Sequence, residues 1–274
     1  MDLSVVISSF QNPQGCYLTV FALWEQLSKT DLTWEIIVAA DGGTEQQWEK
    51  LKHCRAIRIR TGSPQGTRDA GIREAAAATV LVVEDHVIVS DIASFYALHK
   101  RFGGAMTFPA RIGEGTSMFS VYGTTTNWDG NLWFKQTIYS PPNRHTYRVP
   151  QFGHSCFMID RAAYIAVGGY TDLLKGWGGE EPHLCLKFWM LGYQLWQTSL
   201  IWHAHFLADR TGGAMQSDDF QKNFKIVKYV LTGDSAGLQV TPPMLVERQR
   251  IMNGPFKGDI NLLREHFKRE GIAA

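Results

Sequence analysis

Thr79-Val80-Leu81-Val82-Val83-Glu84-Asp85-His86 is a continuous apolar run that stops on three polar side chains able to bind metal. A run this apolar fits a strand covered on both faces, as in parallel sheets. Its polar end then marks the carboxyl edge, where open α/β sheets hold their ligands. In extended backbone, residues two apart point to the same side, so Glu84 and His86 can converge on one divalent cation while Asp85 faces elsewhere. Well downstream lies a second block, Gly176-Trp177-Gly178-Gly179-Glu180-Glu181, which pairs glycine freedom with two carboxylates.

Outward from that strand, the first hundred residues alternate short β-branched runs with longer helical patterns, the signature of βαβ units around a parallel sheet. Strands are predicted over 3–9, 34–39, 56–60 and 79–83, with helices near 17–28, 45–51 and 68–78. The alanine-rich end of the last of these, Glu74 to Ala78, has high helix propensity. From Arg111 to Pro150 the pattern loosens into an apparent loop-rich insertion. It carries Phe119, Tyr122, Trp128, Trp133, Phe134, Tyr139 and Tyr147, which suit either stacking on sugar faces or an aromatic mini-core. A strand over 156–160, a short helix over 161–167, a helix over 181–191 and strands around Leu195 and Ile201 follow, leading to His203 and His205. Further helices are expected near 219–231 and 261–270, separated by a turn-rich segment around Pro242-Pro243.

With 274 residues, 45% of them hydrophobic, the chain can bury a large core, and a formal net charge of +1 gives no broad electrostatic footprint for nucleic acid. The four cysteines are scattered without a CxxC pair, which argues against a zinc ribbon or redox motif and suits a reducing compartment. No apolar stretch approaches the roughly 20 residues needed to span a bilayer, and the start lacks a secretory pattern, so a cytoplasmic location is expected. The first strand is followed by Gln11-Asn12-Pro13-Gln14-Gly15 and not by GxGxxG, which disfavours a dinucleotide-dependent dehydrogenase.

Several pieces resemble, in order, the family 2 glycosyltransferases and their GT-A relatives over about Leu3 to Arg210. They are Ser4-Val5-Val6-Ile7-Ser8-Ser9-Phe10-Gln11-Asn12, Ala39-Ala40-Asp41-Gly42-Gly43-Thr44, Gly66-Thr67-Arg68-Asp69-Ala70-Gly71-Ile72 and Glu84-Asp85-His86. The last is similar to the acid-x-His motif of polypeptide N-acetylgalactosaminyltransferases. The segment from Phe157 through Gly168-Gly169-Tyr170 to Glu181 resembles the one with which those enzymes and galactosyltransferases grip sugar and acceptor. The fold implied is α/β: a GT-A, Rossmann-like nucleotide-diphospho-sugar transferase with a mixed, mostly parallel sheet flanked by helices. The division implied is a catalytic domain over 1–212, with a nucleotide-binding half (1–110) and an acceptor half (111–212), followed by a mainly helical extension over 213–274.

That resemblance implies a nucleotide-sugar donor, UDP-linked or similar, lying over Ser8, Phe10, Asp41, Gly66, Arg68, Asp69 and Asp85. Arg68 would pair with phosphate or orient the acidic metal motif. Mn²⁺ or Mg²⁺ would be held by Glu84, His86 and a later histidine, His205, with His203 as the competing candidate; imidazole ligands favour Mn²⁺. Trp177, Gly178, Gly179 and Glu180 would contact the sugar, and Arg210 would sit in a loop closing over the diphosphate. Glu181 stands where inverting members carry the general base and retaining relatives carry Asn. The acceptor is open: a glycan, a lipid-linked sugar, a protein or a modified DNA base. Two other readings stand beside this one: a non-catalytic sugar-binding module on a degenerate transferase fold, suggested by Glu84 and by Pro182, and a nucleotidyltransferase, disfavoured by the absence of a basic glycine-rich phosphate loop.

Overall fold

A computed structural model of the chain describes the backbone except at 104–105, 115–116, 122, 127, 129–131, 133, 138–144, 207–217 and 273–274. Between 104 and 144, side chains are described only at Trp128 and Leu132. The elements are β1 (Leu3–Phe10), α1 (Pro13–Leu27), β2 (Trp34–Asp41), α2 (Glu45–Trp48), β3 (Arg55–Ile59), α3 (Pro64–Glu74), β4 (Thr79–Glu84), β5 (Val87–Val89) and α4 (Ile92–Phe102). They continue with β6 (Met106–Glu114), β7 (Ser117–Val121), β8 (Gly123–Thr126), β9 (Phe134–Thr137), β10 (Thr146–Arg148), β11 (Cys156–Asp160) and α5 (Arg161–Val167). The last are α6 (Glu180–Met190), β12 (Leu195–His205), α7 (Asp218–Thr232), α8 (Pro242–Met252) and α9 (Ile260–Arg269).

The main sheet runs β10-β12-β6-β11-β4-β1-β2-β3, with β5 on β12 and β7 on β6. Its N-terminal half is parallel, while β11 runs antiparallel to β4 and β6 runs antiparallel to β11. β4 therefore lies between β1 and β11, and helices cover it on both faces, which explains why its residues are apolar on both. Alternation sorts them: Val80 and Val82 join the core under α3, α5 and α6, whereas Leu81 and Val83 join the one under α1 and α4. The same alternation places Val6 of β1 on the first side and Val5 and Ile7 on the second.

Local chemistry moves several helix ends from their predicted places. α3 starts at Pro64, capped by Ser63 Oγ, which accepts the Gly66 N–H at 3.2 Å. It stops at Glu74, so the alanine-rich 75–78 stretch is not helical. Tertiary bonds claim that stretch instead: the Ala76 N–H donates to Glu35 Oε1, the Ala77 N–H to Ser4 Oγ, and the Ala78 carbonyl accepts from the Arg161 N–H. These outweigh propensity, which is a weak local preference. α1 starts earlier than expected, at Pro13 behind the Asn12 cap, and Pro242-Pro243 opens α8 where a turn was expected, since proline suits the first helical turn. The 111–150 stretch holds β7 to β10 and the end of β6, with β8 and β9 forming a two-stranded sheet. Trp128 and Tyr147 pack against the main core there; Phe119, Tyr122, Trp133, Phe134 and Tyr139 lie outside the described side chains.

The C-terminal helices share the core with α6. Val227, Val230, Leu231, Ile251, Leu263 and Phe267 pack in one cluster with Leu184, Phe188 and Trp189. A buried ion pair fastens the join, Lys187 Nζ donating to Glu247 Oε1 at 2.6 Å and to the Gly169 carbonyl at 2.5 Å. No helix among the described residues is long and apolar enough to cross a membrane.

Burial also sets an acid sensitivity. Desolvation pulls the imidazoles of His99 and His183 from 6.5 down to about 4. Between those values the unfolded chain binds more protons than the native one, so stability falls as pH drops through this window, by up to about 1.4 kcal/mol per pH unit for each ring. Urea midpoints taken from about pH 7 to pH 4 should show this slope, and His99→Gln should flatten it; an unchanged slope in the variant would mean His99 is already protonated in the native state.

Candidate active site

β4 and β12 end at the same sheet edge, and their last residues meet. Glu84 Oε2 lies 2.9 Å from His205 Nε2 and 3.4 Å from His86 Nε2, and the two imidazole nitrogens are 3.0 Å apart. All three ligand atoms fall within 4.8 Å of one another. β5 doubles back along β12, pairing His205 with Val87, and so brings His86 under His205. His203, two residues earlier, is instead buried against Ser155 Oγ at 3.0 Å, and it is His205 that meets Glu84 and His86.

Asp85 fixes the orientation of His86. Its Oδ1 lies 2.7 Å from His86 Nδ1; a carboxylate oxygen only accepts, so Nδ1 carries the hydrogen and Nε2 is the ring nitrogen turned into the cluster, where a neutral imidazole would offer its lone pair to a cation. Asp85 is itself held by Ser9 Oγ at 2.5 Å, and its backbone carbonyl by Thr19 Oγ1 at 3.0 Å. One carboxylate oxygen and two imidazole nitrogens, oriented from behind in this way, fit a divalent cation, and the nitrogen content suits Mn²⁺ better than Mg²⁺.

Arg68 connects the cluster to the second block. The guanidinium is 2% exposed; its Nη2 donates to Glu84 Oε1, and its Nη1 lies 3.9 Å from Glu180 Oε1. Burial would raise the Glu84 carboxyl, but the His205 hydrogen bond and the charge of Arg68 hold it well below the usual range. The opposite balance acts on α6. Glu180 and Glu181 are pushed up by burial, and Glu181 further by the Glu180 carboxylate, with Arg68 working against both.

The turn that delivers those carboxylates needs its glycines. Gly176, Gly178 and Gly179 have φ of 61°, 102° and 86°, in the left-handed region that side chains resist. A Cβ on Gly178 would sit 2.4 Å from the Phe220 ring. The Gly178 N–H donates to Glu180 Oε2 at 2.8 Å, and Trp177 stacks on Phe220 with centroids 5.5 Å apart.

The family described as N-terminal domain of galactosyltransferase matches residues 137–204, which carry β11, the glycine turn, α6 and nearly all of β12. N-acetylgalactosaminyltransferase 6 of Drosophila melanogaster is 26% identical over 198 residues, 66% of this chain and 29% of that protein. Probable N-acetylgalactosaminyltransferase 7 of Caenorhabditis elegans is 25% identical over 158 residues, 50% of this chain and 26% of its own length. The chain thus spans under a third of these curated relatives. Among solved structures, GalNAc-T7 with UDP, GalNAc and Mn²⁺ superposes with a TM-score of 0.68 at 19% identity, covering 100% of this chain and 55% of that one. S. aureus TarS in complex with UDP-GlcNAc gives 0.58 at 12% identity, covering 98% and 73%. The chain has the GT-A glycosyltransferase fold.

Set in that GT-A fold, the described residues among those predicted from sequence fall into four groups. Glu84, His86, His205, Asp85, Arg68 and Glu180 form one connected constellation, with Glu181 next to Glu180 on α6, and Trp177, Gly178 and Gly179 form the turn that leads into it. Ser8 borders it, paired in register with Glu84, and Phe10 is exposed at the end of β1. Asp41, Gly66 and Asp69 are engaged within the protein: Asp41 Oδ2 accepts from Thr61, Gly62 and Thr67, Gly66 packs on Thr61, and Asp69 accepts from Tyr164 Oη at 2.6 Å and Arg73 Nε at 2.6 Å. Arg210 lies outside the described residues. Sequence reasoning did not single out Ser9, Thr19, Phe220 or Asn223. Ser9 was readable from alternation, since it faces away from Ser8; the α7 residues had no local signal.

Proposed function

We propose that the chain is a metal-dependent glycosyltransferase that moves a sugar from a nucleotide-sugar of the UDP class to an acceptor hydroxyl, with inversion at the anomeric carbon. The observation that carries this reading is the convergence of Glu84, His86 and His205 at the carboxyl edge of a GT-A sheet, joined through Arg68 to the raised carboxyls of α6. A cation held by those three side chains would neutralise charge building on the departing diphosphate. The likeness to structures solved with UDP, UDP-GlcNAc and Mn²⁺ favours the same donor class and ion.

The chain's own part follows from the contacts. Asp85 keeps the His86 Nε2 lone pair facing inward, and Arg68 occupies one oxygen of Glu84 so that the other is turned to the cluster. Glu181 takes the proton from the acceptor hydroxyl as that oxygen bonds to the anomeric carbon; the bond to the diphosphate oxygen breaks, and its electron pair leaves with the nucleotide. A single displacement of this kind inverts the centre. Desolvation serves the base, because a carboxyl raised above its ordinary value holds the abstracted proton better.

Thermal unfolding against a panel of nucleotide-sugars, with EDTA or Mn²⁺, tests this. Ligand at a hundredfold excess over Kd stabilises the native state by about 2.7 kcal/mol. The expected result is a Mn²⁺-dependent rise in Tm with a UDP-sugar, absent in His205→Ala. No rise with any nucleotide-sugar, or an equal rise in EDTA, would overturn the reading.

A further inference from the structure

Asn223, 1% exposed on α7, is spent entirely on the glycine turn. Its Nδ2 donates to the carbonyls of Lys175 at 2.7 Å and Gly178 at 3.0 Å, and its Oδ1 accepts the Lys175 N–H at 3.0 Å. Both donor hydrogens and one acceptor site are thereby used on residues 45 or more positions away in the chain. Phe220, three residues earlier on the same helix and so on a neighbouring surface position, stacks under Trp177 and fills the space that a Gly178 side chain would need.

The turn needs such a hold from outside. Glycines at left-handed φ lose the most conformational freedom on ordering, and the turn's bonds to Asn223 are side-chain bonds from α7 that belong to no helix or sheet ladder. The N–H of the same Gly178 whose carbonyl Asn223 holds donates to Glu180 Oε2, and Glu181 is the next residue along the helix.

We infer that Asn223 is a positioning residue for transfer: by pinning the Lys175 and Gly178 peptides it sets the direction in which Glu181 is presented, with Phe220 bracing Trp177. This rests on the reading of Glu181 as the base. A misplacement of about 1 Å can cost on the order of 100-fold in rate while leaving donor binding alone.

The test compares full-length wild type with Asn223→Ala and Asn223→Asp. Hydrogen exchange is followed over residues 175–181, alongside kcat, donor KM and the Mn²⁺-dependent donor shift in Tm. In both variants the Lys175–Glu181 amides should exchange faster while β4 keeps its protection, and kcat should fall on the order of 100-fold with donor KM unchanged. The Asp variant is decisive, because it keeps the volume of Asn but offers no donors to the two carbonyls. If Asn223 only fills space, Asn223→Asp keeps wild-type kcat and exchange, and the inference fails. It fails also if kcat and Tm fall while donor KM rises. Should Asn223→Ala not fold, Phe220→Leu, which retains a buried apolar side chain, is expected to show the same split between kcat and KM. A wild type inactive with every donor would remove the reaction assigned above, whereas the exchange data still decide whether Asn223 holds the turn.

Discussion

Glu181→Gln will keep Mn²⁺-dependent binding of the donor and lose transfer by roughly 10²–10⁴-fold, the usual contribution of a positioned general base. The amide is isosteric with the carboxyl and cannot take the acceptor's proton. The variant should also be at least as stable as wild type near neutrality. Burial and the neighbouring Glu180 carboxylate raise Glu181 well above its ordinary 4.5. Between 4.5 and the raised value the native chain binds more protons than the unfolded one, so the group stabilises at low pH and that stability is lost as pH rises through the native value. Glutamine does not titrate and escapes the loss. In wild type, kcat should climb with pH through the raised value, since the base acts deprotonated, and the residual rate of Glu181→Gln should lack this rise. Full transfer by the variant would remove Glu181 from the reaction, and a product retaining the donor's anomeric configuration would remove the single displacement.

The part of this site written in local pattern was legible without coordinates. The apolar run before Glu84 predicts a doubly covered strand, and β4 is one; Glu84 and His86 do meet in the cluster, but β4 stops at Glu84, and it is the Asp85-His86 turn into β5, not the period-two spacing of an extended strand, that brings them together. His205 was reachable only through resemblance, because β12 comes beside β5 by a long-range pairing that no local pattern encodes. The alanine stretch 75–78 misleads for a related reason: its backbone is claimed by Glu35, Ser4 and Arg161, which are distant in sequence. Glycine is ambiguous in the same way. The Gly-Trp-Gly-Gly run suggests close approach of a sugar, and the structure adds a purely internal demand for positive φ and for contact with Phe220. Asn223 reads in sequence as one polar residue on an amphipathic helix, and its partners lie across a turn it has no pattern to announce.

Removing the charge that joins the two halves of the site should have the largest effect on stability. In Arg68→Met, Glu84 loses the guanidinium from Oε1, and Glu180, with a side chain 1% exposed, loses its nearest cation. Breaking a buried pair by deleting one partner costs about 3–5 kcal/mol, because the remaining carboxylate is stranded away from water. The expected loss, read from urea midpoints in EDTA, lies in that range. Mn²⁺ should return part of it, since a cation on Glu84, His86 and His205 supplies a positive charge to one of the two stranded groups, whereas Glu180 gains no contact with it. The α6 carboxyls, already raised by burial and lowered only by Arg68 and local hydrogen bonds, should rise further. Any residual transfer should then need a higher pH than wild type. Arg68→Lys, which keeps the charge on a single ammonium, should lose less stability yet fail to reach Glu84 and Glu180 together. A loss below about 1 kcal/mol in Arg68→Met, the level of an exposed ion pair, would show that water reaches this junction and that Arg68 does not couple the metal cluster to the base.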